Sequence, residues 1–301
     1  MKKLVIYILL AMTFVSCGNS YEEQKRISKA ERVRLAREDS LALKIAVLPT
    51  IDCLPLYVAK DRQLYDTLSL DLRLRRFTSQ MDCDTAVMGK SVDGVMSDLV
   101  RTEGMKRNGV PLDYMSATNL SWKLIANHKA RLKRLDQMGD KMVAMTRFSA
   151  TDFLTDYAFN GVKTSSIVFR IQVNDINVRL AMLLNNEMDA MWLPEPQATV
   201  ALSHGNVKLF DSDDKDIHLG VMAFRSDMIK DSHRQKQLTA FIKAYNLACD
   251  SINKRGISHY SDIMYKYFKA DAKTVKSLPK IKFNHIAKPR QTDLNIVKSK
   301  K

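Results

Sequence analysis

Most of the short motifs that announce catalysis are missing from this sequence. It holds no Gly-x-Ser-x-Gly elbow, no glycine-rich phosphate loop and no His-Glu-x-x-His, and its six histidines (His128, His204, His218, His233, His259, His285) are scattered. No CxxC or Cys/His spacing suits a metal. The acids near Cys83 (Asp82, Asp84) and the cluster Asp211, Asp213, Asp214 and Asp216 lack the tight glycine turn of a calcium loop and read as solvated loops. No cofactor, no metal and no enzymatic activity are therefore expected. Helix–turn–helix, zinc-finger and aromatic RNA-binding signatures are absent too. Beyond residue 15 no apolar run approaches the roughly 20 residues that a membrane-spanning helix requires.

What is present is a basic, core-forming chain. Formal net charge is +15 and 46% of residues are hydrophobic. The basic residues are spread along the chain and interleaved with acids, so no nucleic-acid partner is expected; the charge serves solubility, or attraction to anionic lipid or an anionic solute. Four cysteines occur. If Cys17 is lipidated, as argued next, Cys53, Cys83 and Cys249 remain, an odd number. A Cys53–Cys83 disulfide is open in an oxidising compartment, but small buried thiols are the favoured reading.

The amino terminus predicts export. Lys2 and Lys3 precede an apolar run of about 12 residues, Leu4 to Val15, too short to span a bilayer and suited to a secretory signal. Ser16 before Cys17 fits a bacterial lipobox, so residues 1–17 read as a lipoprotein signal peptide with Cys17 as the lipidated residue. Residues 18–43 form a charged stretch without proline and, after Gly18, without glycine, read as a solvated tether. The expected location is the cell envelope, anchored to a membrane by lipid and facing the periplasm or exterior.

From Lys44 strand and helix patterns alternate, which predicts an α/β fold with mostly parallel sheets. One series runs from Lys44–Leu48 through Leu70–Phe77 and Val92–Met96 to Leu112–Thr118. A second runs from Trp122–Asn127 through Lys141–Met145, Ser166–Val173 and Asp189–Leu193 to Val207–Phe210. A return strand at Leu219–Phe224 and a largely helical remainder follow. This order predicts two lobes with a discontinuous first lobe, residues 44–118 plus 219–301 against 119–218. The chain would cross between them near Thr118-Asn119 and Asp216–His218.

Four stretches carry a resemblance: Leu48 to Ala59 (LPTIDCLPLYVA), Asp93 to Leu99 (DGVMSDL), Arg179 to Ala190 (RLAMLLNNEMDA) and Leu193 to Pro196 (LPEP). In this order and these strand contexts they resemble periplasmic solute-binding proteins of ABC importers, in the nitrate, sulfonate, taurine and thiamine-pyrimidine-precursor branch. The similarity spans roughly residues 44–270. It implies a type II periplasmic-binding-protein fold, closing by two crossing strands on a small solute in the cleft. It also implies an ABC permease and ATPase as partners, with the receptor itself a monomer. Eukaryotic pyrimidine synthases share this resemblance but carry a cysteine-rich signature absent here. A receptor used for sensing instead of transport would fit the same residues.

Ligands of open α/β lobes meet the loops beyond the carboxyl ends of strands. Those loops nominate Thr50 and Asp52, then Thr78 and Ser79, then Ser97 and Asp98; the hydroxyls of Thr78, Ser79 and Ser97 serve equally well as ordinary helix caps. Trp122 either walls the cleft or fills a core. In the loop Thr146–Thr151, Arg147 could fork onto an anion, with Ser149 and Thr151 beside it, or pair with a surface carboxylate. Asn174 can donate and accept. Glu195, between two prolines, would meet a solute amine or N–H, or else cap the helix that follows. Arg147 and Glu195 together would suit a solute with both kinds of end.

Overall fold

The computed structural model describes residues 29–65, 68 and 70–299. The expected signal segment, the lipidation candidate Cys17 and residues 18–28 of the tether lie outside the described residues. The chain divides into two compact units between Ala42 and Leu43. In the first, α1 (Lys29–Leu41) is exposed over most of its length, and Arg34 bonds Glu31 and Glu38 one turn away on either side. Its i,i+3 and i,i+4 pairs, with no apolar face, suit a helix that stands in water.

The second unit holds two five-stranded sheets. In the first sheet β1 (Leu43–Val47) pairs in parallel with β2 (Leu72–Arg76) and β3 (Gly94–Asp98). The last strand, β10 (Gly220–Arg225), runs antiparallel between β3 and β4 (Leu112–Ala117), giving the order β2-β1-β3-β10-β4. The second sheet repeats the plan. Here β6 (Met142–Met145) pairs in parallel with β7 (Phe169–Gln172) and β8 (Ala190–Leu193), and β5 (Lys123–Ala126) lies antiparallel between β8 and β9 (Val207–Asp211). The one antiparallel strand of each sheet is thus the strand that arrives from the other sheet, through residues 118–122 and 212–219.

Helices follow the parallel strands, and a polar residue at or a few positions beyond the strand end caps the next helix. Asp98 accepts from the Arg101 N–H at the start of α4 (Leu99–Arg107), and Ser149 accepts from Thr151 in α5 (Ala150–Phe159). Asp175 accepts from Asn177 and Val178 in α6 (Ile176–Leu184). Each cap satisfies an amide left unpaired by helix geometry. Helices α2 (Leu54–Asp61) and α3 (Gln80–Met88) complete the first lobe's crossovers, and α7 (Gln197–Ser203) follows β8.

Burial follows the strand period of two. Leu43, Ile45 and Val47 enter one core with Phe224, Phe241 and Tyr245, the last two on α9 (Ser232–Arg255), whereas Ala46 and Leu48 enter the opposite core with Val95 and Ala223. In the second lobe Trp192 is fully buried, edge-on to Phe210 at 5.6 Å. Between β10 and α12 come α8 (Ser226–Lys230), α9, α10 (Ser261–Phe268) and α11 (Ala272–Ser277), and α12 (Gln291–Ser299) closes the described chain.

Several expected strands differ from their patterns: Leu70–Phe77 forms β2 only over Leu72–Arg76, Val92–Met96 is displaced to Gly94–Asp98, and Ser166–Val173 forms β7 only over Phe169–Gln172. Ser166–Val168 stays outside β7 because the neighbouring β6 begins only at Met142, paired with Phe169, and β7 is an edge strand with no second partner. Cys53, Cys83 and Cys249 are buried free thiols, so no Cys53–Cys83 disulfide forms, and burial pushes the Cys53 and Cys83 thiols well above their ordinary range. Among the described residues no helix is long and apolar enough to cross a membrane.

Candidate binding cleft

Six strands that pair in parallel, β1, β2 and β3 in one sheet and β6, β7 and β8 in the other, aim their carboxyl ends at the same interlobe gap. The two rims touch directly. The Ile51 N–H donates to the Glu195 carbonyl at 2.9 Å, and the Ile176 N–H to the Thr78 carbonyl at 3.1 Å. The Gln197 amide donates to the Pro49 carbonyl at 2.9 Å, and Arg101 Nη1 to the Arg147 carbonyl at 3.2 Å. Ser79 and Asp175 add a one-residue antiparallel bridge. The lobes are therefore shut, and between them remains a cavity of about 30 Å³. That space holds little more than a water, so an organic solute requires the lobes to part further.

The first lobe contributes Leu48, Thr50, Gln80 and Asp98 to the cavity wall, and the crossing segment contributes Leu120 and Trp122. The second lobe adds the hydroxyls of Thr146, Ser149 and Thr151, with Asn174 and Arg179 and the apolar Ile176 and Pro194. Of the residues nominated from sequence, Thr50, Asp98, Trp122, Ser149, Thr151 and Asn174 meet here.

The other six do not. Asp52 is buried behind the wall, accepting from the hydroxyls of Thr50 (2.6 Å) and Thr118 (3.1 Å). Ser97 is buried against the Gln80 amide at 3.2 Å. Thr78 and Ser79 belong to the contact between rims, Thr78 being exposed. Arg147 is exposed in a separate groove of about 700 Å³ beside Phe148, itself 79% exposed. Phe148 turns left-handed at φ 57, which swings the Arg147–Phe148 stretch outward from the strand end.

Glu195 follows its alternative reading. Its carboxylate accepts from the Thr199 N–H at 2.9 Å in the first turn of α7 and pairs with buried Lys123 at 3.2 Å. Those groups face a third hollow of about 760 Å³, so Arg147 and Glu195 share no cavity and cannot hold the two ends of one solute.

Arg179 was not nominated by its loop, because it lies on a helix. It donates from Nε to the Val173 carbonyl (2.7 Å), from Nη1 to the Trp192 carbonyl (2.9 Å) and from Nη2 to the Thr146 hydroxyl (2.7 Å). One guanidinium so ties the ends of β7, β8 and β6 together at the cleft floor. Burial pulls its pKa down to about 10, leaving it charged at neutral pH. A signal was available: Ile176, Arg179 and Leu183 are spaced three and four apart, so this arginine lies on the buried stripe of an otherwise apolar helix.

Asp98 is the second charge on the wall. Burial pushes its carboxyl up to about 6, against the opposing Arg101 backbone N–H, the nearby Arg101 guanidinium and the backbone N–H of Ala150. Because the folded protein then holds this proton more tightly than the unfolded chain, stability is lost as pH rises from about 4 through about 6 and is level above that. The expected outcome is that Asp98→Asn, which keeps the cap acceptor, gains about 1–2 kcal/mol relative to the unmutated protein between pH 4.5 and pH 7.5 in urea unfolding. A difference independent of pH would show that the carboxyl titrates normally.

Two α/β lobes joined by two crossings, with a cavity at facing strand ends, define the two-lobe, type II periplasmic-binding-protein fold. Residues 36–260 match the NMT1-like family, and the chain belongs to that family. Among solved structures it is similar to the ligand-binding component of an ABC-type import system from Staphylococcus aureus (16% identity, TM-score 0.70, covering 86% of this chain and 90% of that one). It is similar as well to the periplasmic aliphatic sulphonate binding protein SsuA from Escherichia coli (14%, TM-score 0.70, 86% and 85%). The periplasmic nitrate-binding protein NrtA from Synechocystis PCC 6803 also aligns (18%, TM-score 0.65, 78% and 69%). No curated protein sequence matches.

Proposed function

We propose that this protein is the solute receptor of an ABC importer, held at the membrane by lipid on Cys17, and that it works by closing two lobes on a small polar organic solute. The observation that carries this reading is the shared cavity: side chains from both sheets wall one space at the strand ends, and backbone bonds across the gap join the rims when it shuts. Closure can respond to a solute only if the shut form binds it better, and contacts drawn from both lobes supply that difference. The wall holds no nucleophile–base pair, which favours binding without chemistry. In this reading the receptor is a monomer in the cell envelope and delivers its solute to a permease and its ATPase. The importer receptors to which it is similar in structure support this assignment.

The test is thermal unfolding of the protein with nitrate, taurine, alkanesulfonates and hydroxymethylpyrimidine, alongside mass spectrometry of natively purified protein. A matching solute at 100 times its Kd stabilises by about 2.7 kcal/mol, which should raise the midpoint by roughly 5 °C or more for a chain of this size. No shift with any of them, and no co-purified small molecule, would remove the receptor reading.

A further inference from the structure

Eight acidic side chains are buried among the described residues: Asp52, Asp84, Asp93, Asp98, Glu103, Glu195, Asp211 and Asp293. Buried carboxylates normally have a cationic partner, because an unpaired charge out of water is costly. Six of the eight conform, each within 4.0 Å of a lysine or arginine nitrogen. Asp52 and Asp98 do not. Asp52 has two hydroxyl donors instead and lies behind the cavity wall. Asp98, 4% exposed, is the one of this pair that lines the cavity.

Its surroundings make the exception chemical. A carboxylate has about four acceptor positions. Asp98 receives the Arg101 N–H at 2.9 Å from its own helix, and the backbone N–H of Ala150, the first residue of α5 across the cleft, faces it and favours its charged form. The start of α5 would otherwise draw an anion. In this protein a carboxylate from the opposite lobe already faces it. The guanidinium of Arg101 attracts the Asp98 carboxylate through space but makes no hydrogen bond to it, being bonded to Asp84 and to the Arg147 carbonyl. The cavity's single cation, Arg179, commits Nε, Nη1 and Nη2 to protein acceptors. A bare anion entering this space would meet a like charge and an arginine already engaged; an ammonium or amine N–H would meet the acceptor positions that Asp98 keeps.

Resting on the receptor reading, we infer that Asp98 sets the specificity of the cleft, admitting solutes that present an ammonium or aromatic-amine N–H to its carboxylate and excluding bare anions such as nitrate and simple alkanesulfonates. Asp98 is thus a solute-contacting residue, and its neighbours Gln80 and Asn174 offer further amide groups beside the same donor.

Matched probes isolate the claim: taurine against isethionate, which replaces the ammonium by a hydroxyl, and 4-aminopyrimidine against pyrimidine, with nitrate as the bare anion. Affinities are measured by calorimetry at pH 7.5 on the protein and on Asp98→Asn. The expected result is that the amine-bearing member of at least one pair binds tenfold or more tightly than its mate, that nitrate does not bind, and that Asp98→Asn erases the preference. Nitrate or isethionate binding as well as or better than every amine probe would overturn the inference while leaving a solute receptor standing. Binding of the amine probes unchanged in Asp98→Asn would also overturn it. The comparison within the unmutated protein decides the matter even if the variant fails to fold. If no probe binds either protein, this inference is overturned, and the receptor reading falls with it only when no small molecule co-purifies.

Discussion

Replacing Arg179 with alanine is expected to cost about 3–5 kcal/mol of stability and to abolish solute binding in the protein that still folds. The change strips the donor from three acceptors at once, the carbonyls of Val173 and Trp192 and the hydroxyl of Thr146, all at the strand ends that form the cleft floor. Each buried acceptor left without a donor costs on the order of 1–3 kcal/mol, and relief from desolvating the guanidinium returns part of the sum. Arg179→Lys should recover only a minor share, because an ammonium on a flexible stem cannot reach three divergent acceptors as a planar fork does. Urea unfolding measures both variants. A loss under about 1 kcal/mol for the alanine variant would mean that the three strand ends are held by their ladders and the guanidinium is incidental.

A second large effect is expected at Lys123, the first residue of the crossing strand β5. Its ammonium is 3.2 Å from Glu195 and 3.7 Å from Asp211, and all three side chains are nearly enclosed. Asp211 has a further partner in Lys208 at 3.2 Å, but among the described residues Glu195 has no other cation within 4.0 Å. Lys123→Met should therefore cost about 3–5 kcal/mol, most of it the penalty of leaving the Glu195 carboxylate buried without a counter-charge. The double variant Lys123→Met with Glu195→Gln should regain more than half of that loss, since glutamine keeps an acceptor for the Thr199 N–H and carries no charge. Additive losses in the two single variants would contradict the pairing, because residues in one ion pair must couple. The pair also matters for closure: the carbonyl of Glu195 receives the Ile51 N–H from the opposite rim, so Lys123 steadies a loop that both lobes use.

The alternation of strand and helix was legible because the strands are runs of four to six residues, continuously apolar as in β8 or alternating apolar with polar as in β2. Val47 before Leu48-Pro49, and Leu193 before Pro194, mark strand ends that the structure keeps. The two crossings were legible for a related reason: β10 follows the second strand series after a polar stretch, and a strand with no helix before it returns as an antiparallel neighbour. The length of β7 was not legible, since its pattern continues through Ser166–Val168 while its only partner strand starts later.

The candidate site divided more sharply. Thr50, Asp98, Ser149, Thr151 and Asn174 line one cavity because loops after parallel strands converge on one edge, and Trp122 joins them from the crossing that leads into β5. Arg147 was favoured for its guanidinium, yet a left-handed Phe148 beside it turns the loop outward. Glu195 was favoured for its charge, and a lysine 72 positions earlier in the chain claims that charge. Arg179 escaped notice because a helix, not a loop, carries it.

By itself the sequence determined the elements, their order and the edge of the sheets where a ligand would lie, because local patterns of apolar residues, caps and prolines act within a few residues of chain. Only the tertiary structure decided which charges on that edge have a counter-ion within reach. Counter-ions are chosen by distance in space, across lobes and between strands far apart in sequence. The same chemistry at Glu195 and at Asp98 is therefore closed by a lysine in one case and left unpaired in the other.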